Sequence, residues 1–307
     1  MNTSIKPVHQ VLLAVDGSEH SLAAVKTVRD MALATAHCSD CRVKVLGVLP
    51  ISEGSNYGMH LLPLKEAERI LSEHGVRATS DLIQGYPAEV ILAQAETMHP
   101  DLIVIGAKGL RATLGILLGG VAQQVVEHAC CPVMVIRSPY RRINRVLVVS
   151  DGSEFSHKAV EFAAKFPFIA GTDFHLLHVL PPSPVLTPEL LSRIWTLSDE
   201  AVDPTLFTTR EIEAEVESTQ AAGQAILDEA NQILLTEGIK AKSALLQGDA
   251  ATEIIQYVTD KQIDLLIAGS RGLNTMQSWL LGSVSRKLVH YAGCSVLLVK
   301  RPMSVRV

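Results

Sequence analysis

Short runs of aliphatic and β-branched residues alternate along the chain with longer stretches whose apolar positions recur at helical spacing. This is the pattern of a parallel sheet with crossover helices. In the first part of the chain it predicts strands near residues 8–15, 42–49, 78–83, 101–106 and 132–137, and helices beginning near Ser18, Leu64, Pro87 and Gly120. The second part predicts strands near 145–150, 173–180, 240–246, 264–269 and 295–299, and helices from Ser153, Thr208, Ala250 and Ser283. The helix running from Thr208 to Glu237 is unusually long. Ser18 and Ser153 fit N-caps, because a hydroxyl there accepts one of the unpaired N–H groups of the first turn. Glu19 and Glu154 then place negative charge at the positive end of each helix.

The pattern occurs twice because the sequence does. Val11-Leu-Leu-Ala-Val-Asp-Gly-Ser-Glu19 returns as Val146-Leu-Val-Val-Ser-Asp-Gly-Ser-Glu154, and Asp101-Leu-Ile-Val-Ile-Gly-Ala-Lys-Gly-Leu110 returns as Asp264-Leu-Leu-Ile-Ala-Gly-Ser-Arg-Gly-Leu273. At 307 residues the chain is long for one domain. The repeat divides it into a first domain over 1–140 and a second over 141–307, each an open five-stranded parallel sheet with helices on both faces. The second copy carries an insert near 182–210.

Composition narrows the partners. The chain is 48% hydrophobic, 19% charged and only 4% aromatic, so aliphatic side chains fill the cores, as buried parallel strands require. A formal net charge of -5 and a pI near 6.1 provide no general cationic field for nucleic acid or an anionic membrane. Arg141, Arg142 and Arg145 read as a solvated linker. No apolar run reaches the roughly 18 residues of a membrane span, and residues 1–10 lack the form of a signal peptide. Together these predict a cytoplasmic protein. Five cysteines without a repeated framework fit free thiols in a reducing compartment. Cys38 and Cys41 form a CxxC, but the second ligand pair of a zinc site is missing. Cys130, Cys131 and Cys294 read as small buried hydrophobes.

Ligands of open α/β sheets bind outside the carboxyl ends of the strands, where strand order reverses. Asp16 and Asp151 close the first strand of each copy, Val48 and Val179 the second, and Gly106 and Gly269 the fourth. Each Asp alone reads equally well as a turn residue before Gly. The most specific pattern is Gly269-x2-Gly272-x9-Gly282-Ser283, followed by Val284-Ser285, after a strand and before a helix. Glycines let backbone approach a ligand, and a helix starting there aims unpaired N–H groups and a positive dipole end at an anion.

These residues resemble the universal stress protein family in its nucleotide-binding branch, over nearly all of both halves apart from the insert. In that family the glycine motif holds ribose and phosphates, while the first-strand Asp and second-strand Val line an adenosine pocket. Carried over, the resemblance implies a site for ATP, AMP or ADP at Ser150, Asp151, Val179, Ala268, Gly269, Arg271, Gly272, Gly282, Ser283, Val284 and Ser285, with Mg2+ able to accompany ATP. The first copy keeps Asp16, Val48, Gly106, Gly109 and Gly119, but Gly120 and Ala122 replace the two serines. A hydrogen bond to a charged group is worth about 1.5–3 kcal/mol, so losing both hydroxyls would weaken binding by roughly two to four decades. The second domain is therefore expected to hold most of the nucleotide. The resemblance also implies a pseudo-twofold pairing of the halves within one chain, with residues 132–137 and 295–299 as an antiparallel seam. Association into a homodimer stays open, as does a protein partner.

No standard catalytic set is visible. His175 and His178, three apart on a strand, face opposite sides of the sheet and form no metal pair. The leading reading is a nucleotide-binding stress-response regulator without enzymatic turnover. A slow ATP hydrolase using Asp151, or a nucleotide-free interaction module, are the alternatives. The apolar residues of the insert, among them Leu190, Trp195 and Phe207, suit a lid over the second pocket, packing on a neighbouring helix, or a partner contact.

Overall fold

The computed structural model describes residues 8–34, 41–51, 57–109, 118–182, 209–272 and 281–300. The first half contributes β1 (Gln10–Ala14), α1 (Glu19–Ala34), β2 (Arg42–Leu49), α2 (Tyr57–Ser72), β3 (Arg77–Gln84), α3 (Pro87–Met98), β4 (Leu102–Gly106), α4 (Gly120–His128) and β5 (Val133–Ile136). The second contributes β6 (Arg145–Val149), α5 (Glu154–Lys165), β7 (Asp173–Leu180), α6 (Thr209–Thr236), β8 (Ala241–Gln247), α7 (Ala250–Asp260), β9 (Leu265–Gly269), α8 (Ser283–Tyr291) and β10 (Ser295–Val299).

The strands form one 10-stranded sheet in the order β3-β2-β1-β4-β5-β10-β9-β6-β7-β8. Every pairing is parallel except that of β5 with β10, where Val133, Met134 and Val135 oppose Leu298, Leu297 and Val296. Matched repeat by repeat, the order reads the same from either edge. The expected antiparallel seam is present, so the halves form an intrachain pair and the two strands cover each other's open edges.

Alternation along the strands supplies both faces with core. Val11 and Leu13 pack with α1 and α2 residues such as Val28 and Leu71, and the same cluster runs on to Val146, Val148, Val160 and Leu227. Leu12 and Ala14 point the other way, toward Val125, Leu147, Ile254 and Leu288. Each cluster spans both halves, so neither face stops at the seam. The outer strands β3 and β8 are the least buried. They carry Asp81 and Lys242 in ion pairs to Lys44 and Asp173 of the next strands inward, which makes poor edges for further pairing.

One boundary differs from expectation. The helix placed near Leu64 begins about two turns earlier, at Tyr57, and Pro63 lies inside it. Proline normally marks a helix start because it lacks an N–H. Here its ring instead fills the space over the β1–α1 turn, where a Cβ at Gly17 would come within 2.8 Å of Pro63 Cγ. Among the described residues no helix is long and apolar enough to cross a membrane. The insert's apolar residues from 183 to 208, and Cys38 of the CxxC, lie outside the described residues.

Candidate functional site

The chain winds from β1 outward to β3 and then returns to β4 on the other side of β1, so the crevice of the first half opens between the ends of β1 and β4. The second half repeats this between β6 and β9.

In the second crevice β6 runs into Ser150 and Asp151. Asp151 Oδ1 accepts the Ser153 N–H at 3.0 Å, and Ser153 Oγ caps α5 by accepting the Ser156 N–H at 3.2 Å. This is the turn role that any Asp-Gly-Ser could have. The other carboxylate oxygen has a second position to explain: a Cβ at Gly272 would stand 2.4 Å from Asp151 Oδ2. Only glycine lets the loop after β9 cross the carboxylate so closely. The first half repeats the arrangement with Asp16 Oδ1 on the Ser18 N–H at 2.9 Å and Asp16 Oδ2 2.6 Å from a Cβ at Gly109.

The third glycine of the motif serves a second close approach. Gly282 N donates to Ser270 O at 2.9 Å, and a Cβ at Gly282 would lie 3.2 Å from Arg271 Cα. Gly282 is also the N-cap residue of α8 and supplies no side-chain cap. The first-turn N–H groups of α8 therefore face the crevice floor without a side-chain acceptor from their own N-cap, which suits an anion. Gly119 stands identically at the start of α4, again without a side-chain cap, and donates to Ala107 O at 2.7 Å.

The expected side chains divide by position. Ser283 is exposed at the helix start. Ser285 is buried, and its hydroxyl donates to Gly269 O at 2.8 Å. A donor proton committed to the backbone is not offered to a phosphate, so this hydroxyl pins the start of α8 to the end of β9. Ala122 of the first half is buried in the equivalent place and lacks that pin. At the helix start the halves thus differ by one exposed hydroxyl, at Ser283 against Gly120, while the second serine, Ser285, is buried against Gly269 O.

Ala268 is 3% exposed within the core and offers the crevice its backbone alone. Val179 and Val48 are partly buried at the ends of β7 and β2, and Val284 packs on the same core. The Arg271 guanidinium carbon stands 5.2 Å from the Phe155 ring centroid, a cation–π geometry. Ser150 is buried and donates to Ser156 Oγ at 3.3 Å.

Two residues of this neighbourhood carry roles that sequence reasoning missed. His178 does face away from His175, which meets Tyr257 Oη through Nδ1 at 2.8 Å. Yet the His178 Nδ1–H donates to Ser150 O at 2.7 Å and so fixes the residue before Asp151. In the first half, His20 of α1 packs its backbone on Gly106 and accepts the Ser138 N–H through Nδ1 at 2.8 Å. Burial, chiefly, holds the His20 pKa below its usual value. Neither has a local signature, since their partners are 28 and 118 residues away.

Comparison with known proteins agrees with this architecture. The model of the universal stress protein family matches residues 7–137 and 142–300. A universal stress protein of Bacillus subtilis is 30% identical over 157 residues, 51% of this chain and 99% of the relative. One from Mycobacterium bovis is 24% identical over 313 residues, covering 95% of this chain and 97% of its own. Among solved structures, a universal stress protein from Archaeoglobus fulgidus superposes with a TM-score of 0.65 at 19% identity, over 96% of this chain and 99% of that one.

Proposed function

The chain belongs to the universal stress protein family, and from that premise we propose that it is a regulatory adenine-nucleotide-binding protein whose second half holds the nucleotide. The observation that carries this reading is the pairing, in one crevice, of an α8 N-terminus without a side-chain cap and an exposed Ser283. Gly272 and Gly282 keep the approach clear where a Cβ would intrude. Such a cradle suits the phosphates of ATP, ADP or AMP, with the Asp151 turn and Val179 at the nucleoside end. Mg2+ would accompany ATP through its phosphate oxygens. Occupancy would act on a partner through the shape of the crevice rather than through turnover, in the cytoplasm. Slow hydrolysis is the competing reading, and it requires Asp151 to leave its turn bond to Ser153.

The test is to purify the full chain without added nucleotide, denature it, and identify and count what is released, beside Ser283→Ala. About one adenine nucleotide per chain, lost in the variant, is the expected result. Two per chain would remove the asymmetry between the halves. None, with no binding on later titration with ATP, ADP and AMP, would overturn the reading.

A further inference from the structure

A cleft of about 290 Å3, part of it open to solvent, lies where the two halves meet the segment that joins them. Met31 of α1 borders it from the first half, Phe166, Phe168 and Ile169 from the turn after α5, and Tyr140, Arg141 and Ile143 from the connecting segment. None of these residues belongs to either crevice. The apolar wall is held in place by its own packing. Met31 and Phe166 are buried, and the Phe168 ring centroid stands 4.7 Å from that of Phe166 and 5.0 Å from that of Phe174.

The polar end has its acceptors already taken. Tyr140 Oη donates to Asp30 Oδ2, and the Arg29 guanidinium donates to Asp30 Oδ1 through Nε at 2.9 Å and Nη2 at 2.6 Å. The Thr27 hydroxyl donates to Ala23 O at 2.9 Å. Cations are in excess there. Lys26 Nζ and Arg29 Cζ stand 5.7 Å and 5.8 Å from the Tyr140 ring centroid. Arg141, expected to be plain solvated linker, is exposed and borders the cleft, with no hydrogen bond or ion pair to another described residue.

We propose that this cleft binds a short aliphatic carboxylate, with its tail among Met31, Phe168 and Ile169 and its head on the Arg141 guanidinium. A guanidinium and a carboxylate match in two parallel hydrogen bonds. An ammonium head would meet three cations with Asp30 already engaged, and a neutral head would leave Arg141 without a counter-ion. The tail gains by leaving water for an apolar wall. A volume at the lower end of ligand pockets, which begin near ~300 Å3, limits that tail to a few carbons. Because the lining comes from both halves, the bound acid touches both.

The full chain is titrated with sodium hexanoate by calorimetry and by NMR, with ATP titration as a control. One saturable site per chain is expected, with a dissociation constant on the order of 1 mM, the range open to a ligand of about eight non-hydrogen atoms. NOEs from the hexanoate methyl group should fall on Met31 and Phe168. Arg141→Ala should weaken hexanoate about tenfold or more, Arg141→Lys less, and Ile169→Trp should abolish binding by filling the cleft, while all three keep the wild-type affinity for ATP. Hexylamine should not bind. Absence of saturable hexanoate binding would overturn the proposal. So would an Arg141→Ala variant that binds as the wild type does, equal binding of hexylamine, or displacement of hexanoate by ATP, which would place the acid in a nucleotide crevice.

Discussion

Arg137 and Lys300 are the residues that follow the last strand of each repeat, and each closes the last helix of the opposite half. Arg137 Nη2 donates to Val289 O at 2.8 Å and His290 O at 3.2 Å, and its Nε to Cys294 O at 3.1 Å. Lys300 answers across the seam at Glu127 O and Ala129 O. Helix C-termini leave carbonyls without partners and carry a negative dipole end, so cations are the natural caps. Burial pushes the Lys300 pKa down to about 8. The capping bonds are thus made against a desolvation cost.

Arg137→Ala should therefore cost more than an exposed arginine would. It strips several carbonyls of α8 and its following turn at once, and a buried group left unpaired costs about 1–3 kcal/mol. A loss of about 2–3 kcal/mol in urea unfolding is expected. Lys300→Ala should add to it almost independently, because the two caps sit at opposite ends of the seam. A change below about 0.5 kcal/mol for Arg137→Ala would mean the caps are ornamental to stability.

Ser283 and Ser285 should separate binding from stability. Ser283→Ala removes an exposed hydroxyl and should weaken ATP by about tenfold or more with little change in unfolding. Ser285→Ala removes the bond to Gly269 O and should destabilise by about 1–2 kcal/mol, with a smaller effect on affinity. Calorimetric titration beside thermal unfolding distinguishes them. The reverse pattern would show that Ser285 leaves the backbone to meet the ligand.

How much of this was legible in the sequence depends on how far apart the partners lie. The strands follow from patterns within a few residues, where apolar runs such as Val146–Val149 admit one reading, and the repeat from motifs that occur twice; the seam was legible only through the family resemblance. Pro63 misled because its steric partner, Gly17, lies on another element. The backbone bond of Ser285 was hidden, because a hydroxyl after a glycine motif looks the same whether it faces a ligand or a carbonyl 16 residues back. His178 was invisible as a positioning residue for the equivalent reason: its acceptor is on the neighbouring strand.

His20 should give the fold a measurable dependence on mild acid. Its folded pKa lies below the ordinary 6.5, through burial first and then Lys108 and Arg137, with the Ile136 backbone bond and Glu19 opposing. Below 6.5 the unfolded chain takes up the proton more readily, so stability is fully present above that pH and falls as pH drops toward the folded value. Protonation also costs the bond from Ser138 N to Nδ1. Between pH 7 and pH 5 the wild type should lose more unfolding free energy than His20→Gln in urea titrations. Identical losses would show that His20 is not the group responsible.

Gly272→Ala should damage the second crevice without touching the core. The added Cβ would meet Asp151 Oδ2 at 2.4 Å, so either the loop after β9 or the Asp151 turn must move. A loss of nucleotide with an otherwise folded chain, followed by circular dichroism and by titration, is the expected outcome. Retained affinity would place the nucleotide away from this loop and against the proposed function.

Gly120→Ser is the converse experiment, because it asks whether the first half lacks only what the second possesses. A Cβ at Gly120 meets nothing within 4 Å, and its φ is not in the left-handed region, so the substitution costs no strain. It stands at the first position of α4, behind a Gly119 N-cap that mirrors Gly282. With Asp16 already on Ser18 and Gly109 already beside Asp16, one exposed hydroxyl separates the two helix starts to which the proposed function assigns phosphate. A charged hydrogen bond of about 1.5–3 kcal/mol corresponds to roughly tenfold to a hundredfold in affinity. The ATP stoichiometry should rise from near one toward two per chain. If it does not, the asymmetry lies at the nucleoside end, where Gly47 stands in place of His178 and His20 in place of Phe155, and exchange of those pairs becomes the decisive comparison.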